Sequence, residues 1–174
     1  MPLNHHFALI ATLLSRTGFA GLLKSPRGTA GLAGLGALIT LGALSSAGAQ
    51  TDPLARAAAE AGALVTPSGL VYRSLKDGKG PSPKVTDTVK VHYRGTFPDG
   101  REFDSSHKSG QPASFALNRV IKCWTEGVQR MKVGGRARLT CPAAIAYGER
   151  GAGGGEIPPN AILHFEVELL GITP

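Results

Sequence analysis

With 174 residues, 42% of them hydrophobic and 18% charged, the chain has room for one ordinary globular domain behind a leader and is too apolar to be disordered. Its formal charge of +7 is spread thinly, without a run of like charges or an arginine-rich helix, so nucleic-acid binding is not indicated. No GxSxG, HExxH or phosphate-loop pattern occurs and no nucleophile stands beside a base, which argues against hydrolysis and metal chemistry.

Residues 1 to 50 contain no Asp or Glu, and Arg16, Lys24 and Arg27 are their only Lys or Arg. With three of the 19 Lys and Arg placed there, the rest of the chain carries 16 against 12 acidic residues, a net +4. The basic flank, the apolar run from about Gly28 to Leu44 and the small residues Ala47-Gly48-Ala49 match a secretory signal peptide cleaved after Ala49. The run is too short and glycine-rich for a membrane span, which needs about 20 mostly apolar residues. The apolar stretch before it leaves an organellar transit peptide, a start codon assigned too early and an uncleaved membrane anchor as alternatives. In every case the segment 1–49 serves addressing.

Residues 50–68 then read as a flexible lead-in with a short helix, begun by Asp52 and Pro53 and stopped at Gly62. From 69 to 174 the pattern changes to strands and turns. "LVYRSLKDGKG" is a strand running into a glycine turn. "TVKVHYRGTF" alternates, with Val89, Val91, Tyr93 and Phe97 on one face and Lys90, His92, Arg94 and Thr96 on the other. "PDG" turns the chain so that "REFDSS" returns with Phe103 inward, and "ASFAL" is a further strand.

One helix stands among the strands, with Trp124, Val128 and Met131 forming a single apolar stripe that Gly134 and Gly135 end. Trp124, the only tryptophan, sits at the mouth of this helix, where a small polar cap is usual. In "RARLTC" Ala137, Leu139 and Cys141 share the inner face, opposite Arg136, Arg138 and Thr140. "ILHFEVELLG" places Leu163, Phe165, Val167 and Leu169 inward and His164, Glu166 and Glu168 outward. His92 and His164 thus fall on solvent faces, and "GAGGGE" at 151–156 reads as a mobile loop. The fold class is α+β: a curved antiparallel β-sheet wrapped around one short α-helix.

Cys123 and Cys141 are the only cysteines, too far apart for a CxxC redox motif and too few for a zinc site. A disulfide and two buried thiols are both open, and either role is structural. Tyr93, Phe103, Trp124, Tyr147 and Phe165 come from separate segments onto inward phases. Core packing explains any one of them; together they outline an apolar pocket with Asp104 as its placed polar group.

The blocks "VHYRGTFPDGREFDSS", "FALNRVIKCWTEGVQRMKVGGRARLTCP", "AIAYGERG" and "IPPNAILHFEVELL" resemble, in order and over about residues 69 to 172, the FKBP family of peptidyl-prolyl cis/trans isomerases, especially its secreted bacterial branch. The resemblance implies a proline-binding site made by Tyr93, Phe103, Asp104, Val120, Ile121, Trp124, Tyr147, Ile157 and Phe165, with the indole of Trp124 as the floor beneath the substrate's proline ring. It implies isomerisation of X-Pro bonds in exported, periplasmic proteins by desolvating and twisting the amide, without covalent chemistry, cofactor or metal. The Ile121 N–H and the Tyr147 hydroxyl would act as donors to substrate, and Asp104 either as a polarising wall or as a partner of Tyr93.

It further implies proline-containing polypeptide clients and macrolide-type inhibitors of the pocket. Some secreted relatives dimerise through a long helical N-terminal domain; residues 51–68 are too short for one, so a monomer is expected. Ala113 stands where some members have an aromatic, Ser109 where some carry an arginine near the aspartate, and Cys123 where glycine is commoner.

Overall fold

The computed structural model describes residues 52–174, so the leader, its cleavage site and the alternatives for it lie outside the described residues. In chain order the elements are α1 (Pro53–Ala58), β1 (Ala63–Val65), β2 (Val71–Lys76), β3 (Thr88–Thr96), β4 (Glu102–Ser105), β5 (Ala113–Ala116), α2 (Lys122–Gln129), β6 (Arg136–Cys141) and β7 (Leu163–Thr173). Short 3-10 turns fill several of the connections.

The strands form one seven-stranded sheet in the order β1-β2-β6-β7-β3-β4, and every pairing is antiparallel. On the edge of β3 away from β7 two strands follow one another: β5 pairs with Thr88–Val91 and β4 with Arg94–Thr96. Strict alternation in β3, β6 and β7 gives the sheet an apolar inner face. Val89, Val91, Ala137, Leu139, Leu163, Val167 and Leu169 are wholly buried there.

The helix α2 lies on that inner face. Trp124 and Val128 are buried, and Met131, just past the end of the helix at Gln129, is buried with them. Gly127 lets α2 approach β6, since a Cβ there would stand 2.7 Å from the Leu139 side chain. A disulfide between Cys123 and Cys141 ties the first turn of α2 to the end of β6, with Cα atoms 5.8 Å apart, inside the separation a bridge requires.

Three expectations change. The segment 50–68, expected as a flexible lead-in, has residues that belong to the sheet: β1 pairs with β2 in register Ala63–Arg73 to Val65–Val71, and Glu60 forms an ion pair with Arg73. The Asp52 side chain caps α1 by accepting from the Leu54 N–H, and Ala57 is buried. Thr140 and His164, expected on a solvent face, are respectively buried and half-buried, because α1 comes down on the outer side of the sheet. Finally, the glycine-rich 151–156 loop is pinned by an Ala152–Ile157 bridge; a Cβ on Gly151, which has φ of 63°, would meet the Ile157 carbonyl oxygen at 2.1 Å.

Candidate functional site

The inner face of β3 brings Tyr93 and Gly95 to the edge where β4 returns. Gly95 has no side chain, and Phe103 from β4 and Phe165 from β7 fill the space: a Cβ there would lie 2.6 Å from the Phe103 ring and 3.1 Å from that of Phe165. The rings continue into one cluster. Phe103 and Phe165 meet edge to face at 5.6 Å between centroids, and Trp124 takes the same perpendicular arrangement to Phe165 at 5.5 Å, to Tyr93 at 5.4 Å and to Phe115 at 5.5 Å. Such perpendicular pairs set the positive edge of one ring against the negative face of another and hold the set in one geometry.

A polar pair sits at the margin of these rings. The Tyr93 hydroxyl donates to Asp104 Oδ2 at 2.6 Å, and Asp104 Oδ1 accepts from the Ser105 N–H at 2.8 Å. Of the two sequence readings of Asp104, the partnership with Tyr93 is therefore formed. Burial, and then the hydrogen bond to Asp104, push the Tyr93 phenol well above its usual range. Burial, with the nearby Asp104 charge second, does the same to Tyr147.

Val120, Ile121 and Tyr147 pack partly exposed against this core, and Ile157 is nearly covered within it. Ile121 is the N-cap of α2; its carbonyl accepts from Trp124 and Thr125, while its own N–H makes no hydrogen bond among the described residues. Of the nine predicted site residues, Tyr93, Phe103, Trp124 and Phe165 join directly through their rings, Asp104 is bonded to Tyr93, and Val120, Ile121, Tyr147 and Ile157 belong to the same core. They do not contribute alike. Trp124 and Phe165 are 0% exposed, so the indole, expected as the pocket floor, presents no open surface. The partly exposed Phe115 packs on the indole, and Val120, Ile121 and Tyr147 are the other partly exposed site groups on the same core.

One family model, described as "FKBP-type peptidyl-prolyl cis-trans isomerase", matches residues 80–170, more than half of the chain and all of this cluster. The chain belongs to the FKBP-type peptidyl-prolyl cis-trans isomerase family. It is 55% identical over 119 residues to the FKBP-type peptidyl-prolyl cis-trans isomerase FkpA of Aeromonas hydrophila, covering 68% of this chain and 44% of the relative. The crystal structure of FkpA from Escherichia coli matches with a TM-score of 0.67 at 47% identity, over 70% of this chain and 56% of that one. A peptidyl-prolyl cis-trans isomerase structure from Pseudomonas syringae pv. tomato matches with a TM-score of 0.66 at 38% identity, over 70% of this chain and 89% of that one. The chain spans under half the length of the curated FkpA relatives that it matches.

Within this FKBP domain, sequence reasoning missed three contributors. Phe115, read only as part of a strand, packs on both Tyr93 and Trp124. It lies two residues from Ala113 on β5, and both pack partly buried against the core. Ser105 and Ser106 clamp the backbone of Tyr93: the buried Ser106 Oγ accepts from the Tyr93 N–H at 2.9 Å, and both hydroxyls donate to its carbonyl at 3.3 Å. The only signal for this was the position of two small hydroxyl residues directly after Asp104, opposite the inner phase of β3. Ser109 donates its hydroxyl to the Ser106 carbonyl at 2.9 Å.

Proposed function

We propose that this chain accelerates cis/trans isomerisation of X-Pro bonds in exported polypeptides, at the aromatic site. The observation that carries the reading is the grouping, on one apolar core, of the Ile121 N–H, unengaged among the described residues, the Tyr147 hydroxyl, and the hydrogen-bonded Tyr93–Asp104 pair. The leader supports export by composition alone, and among the described residues no helix is long and apolar enough to cross a membrane.

The chemistry follows from amide resonance. Rotation about an X-Pro bond loses that resonance, at a barrier of about 18–20 kcal/mol. A planar amide is more polar than a twisted one, so transfer into a water-poor aromatic site raises the ground state relative to the transition state, with no covalent step. Lowering the barrier by roughly 4–8 kcal/mol gives about a thousand- to a million-fold acceleration. Donors act selectively where they bond better to the twisted form than to the planar one. In this mechanism the Ile121 N–H holds a substrate carbonyl, Tyr147 donates a second hydrogen bond, and Asp104, already accepting from Tyr93, presents negative charge beside the reacting amide. Proline-containing clients and macrolide-type ligands are the occupants proposed for the site, and a monomer is the proposed working form.

A second reading is a binding module that holds unfolded clients without turnover. An NMR exchange or protease-coupled assay on an X-Pro peptide separates the two. The isomerase reading expects acceleration above buffer and a loss of about tenfold in kcat/KM for Tyr147→Phe, the size of one hydrogen bond to the transition state. A rate for the unmodified protein equal to that in buffer overturns it in favour of the binding module.

A further inference from the structure

On the outer face of the sheet, behind the aromatic cluster, a cleft of about 350 Å³ opens between α1 and strands β3, β6 and β7. Its floor is built by register. Arg94, Glu166 and Arg138 lie side by side across β3, β7 and β6, and the next rung carries Thr96, His164 and Thr140. Pro53 and Ala57 of α1 and Phe97 and Pro98 at the end of β3 supply apolar walls.

Charge in and around the cleft is unbalanced. Glu166 is shared by Arg136 and Arg138, both at 2.7 Å; Glu60 by Arg73 and Arg138; Glu102 by Arg94 at 2.7 Å and Lys108 at 3.4 Å. Of the groups that line the cleft, Arg56, Arg94 and Arg138 face only Glu60 and Glu166, an excess of one positive charge. The Arg56 guanidinium has no ion pair or hydrogen bond among the described residues. His164 reports the same field: burial lowers its pKa first, and Arg138 and Arg56 lower it further against the opposing charge of Glu60.

We propose that this cleft is a second peptide-binding site, which takes a carboxylate side chain of an extended acidic segment against Arg56 and Arg94. The mixed lining selects the chemistry. A cationic excess attracts one or two carboxylates, while Glu60 and Glu166 repel a densely charged polyanion, and the proline, alanine and phenylalanine walls suit a peptide body. Calling the segment part of a client rests on the isomerase reading; the binding does not. For a client held at both faces, the second contact becomes intramolecular, raising the effective concentration of its proline segment at the aromatic site.

The test uses the full chain and a probe without proline, acetyl-Ala-Glu-Ala-Glu-Ala-amide, with its Gln-for-Glu counterpart as the neutral arm. Amide chemical shifts are followed by NMR titration. Saturable shifts are expected at Arg56, Arg138 and His164 for the acidic peptide alone, weakening as salt is raised. Arg56→Gln and Arg94→Gln, both exposed and outside the aromatic site, are each expected to loosen binding by roughly two- to fivefold, the worth of one exposed ion pair. Equal shifts with the neutral peptide, unchanged binding by the double variant, or shifts confined to Ile121 and Tyr147 would each overturn the proposal. No arm reads catalysis, so loss of isomerase activity and loss of this site give different results.

Discussion

The two faces of β3, β6 and β7 are made from alternate residues of the same strands, yet they are held by different physics. The inner face is a set of interlocking rings and aliphatic chains with almost no surface open to water, where each group is fixed by contact. The outer face is a lattice of shared ion pairs under a six-residue helix, with side chains that keep a quarter to a half of their surface exposed. Substitution should be severe on the first face and mild on the second, because a cavity cannot be refilled by water while an exposed charge is resolvated at once.

Trp124→Ala tests the inner face most directly. Removal of a wholly buried indole is expected to cost about 3–5 kcal/mol of unfolding free energy, measured by chemical denaturation; a loss below 1 kcal/mol would mean that the cluster collapses around the gap. Next comes the tie between α2 and β6. The disulfide closes a loop over a sequence separation of 18. Its replacement by Cys123→Ala with Cys141→Ala is expected to lower stability by about 3 kcal/mol on the loop-entropy account, and reductant should have no further effect on that variant.

Gly95→Ala adds volume where the first two remove it. Its new methyl would clash with Phe103 and Phe165, and a cost of about 1–3 kcal/mol is expected from overpacking. If the melting temperature is unchanged, the rings are looser than their spacing implies.

The outer face should respond least, and mainly to pH. Glu166→Gln is expected to change stability at neutral pH by under about 1 kcal/mol, since its partners are half exposed and screened. Two windows of pH dependence follow from the signs. His164 is held below its ordinary value of 6.5 by burial and by Arg138, so the unfolded chain binds its proton first and stability falls as pH drops below about 6.5. Glu166 and Glu102 are held below the ordinary 4.5 chiefly by hydrogen bonds from Arg138 and Arg94, so their contribution is present above that value and is lost as pH falls further. A denaturation series from pH 7.5 to 3 should show both stages, and His164→Gln should erase the upper one alone.

Much of this was readable along the chain. Period-two alternation placed Val89, Val91, Tyr93, Leu139, Phe165 and Val167 on the inner face, because in a strand the side of a residue is a matter of counting. The family blocks pointed to the family for the same reason: motifs are local. What counting does not yield is depth. Nothing in the spacing separates a ring that stays partly exposed, such as Phe115 or Tyr147, from one sealed beneath its neighbours, as Trp124 and Phe165 are.

Phe115 and the Ser105–Ser106 clamp were missed on similar grounds, since each acts across a strand pairing whose register is not written in either partner. Thr140 and His164 were placed on the correct face and given the wrong environment, because the helix that covers them begins more than 80 residues earlier. The sequence by itself determined the fold class, the inward and outward sets and the family, all of which rest on near neighbours in the chain. Only tertiary structure decided which inward groups remain reachable, that the cysteines are bonded, and that a cationic cleft lies behind the aromatic site, since each depends on where distant segments come to rest against one another.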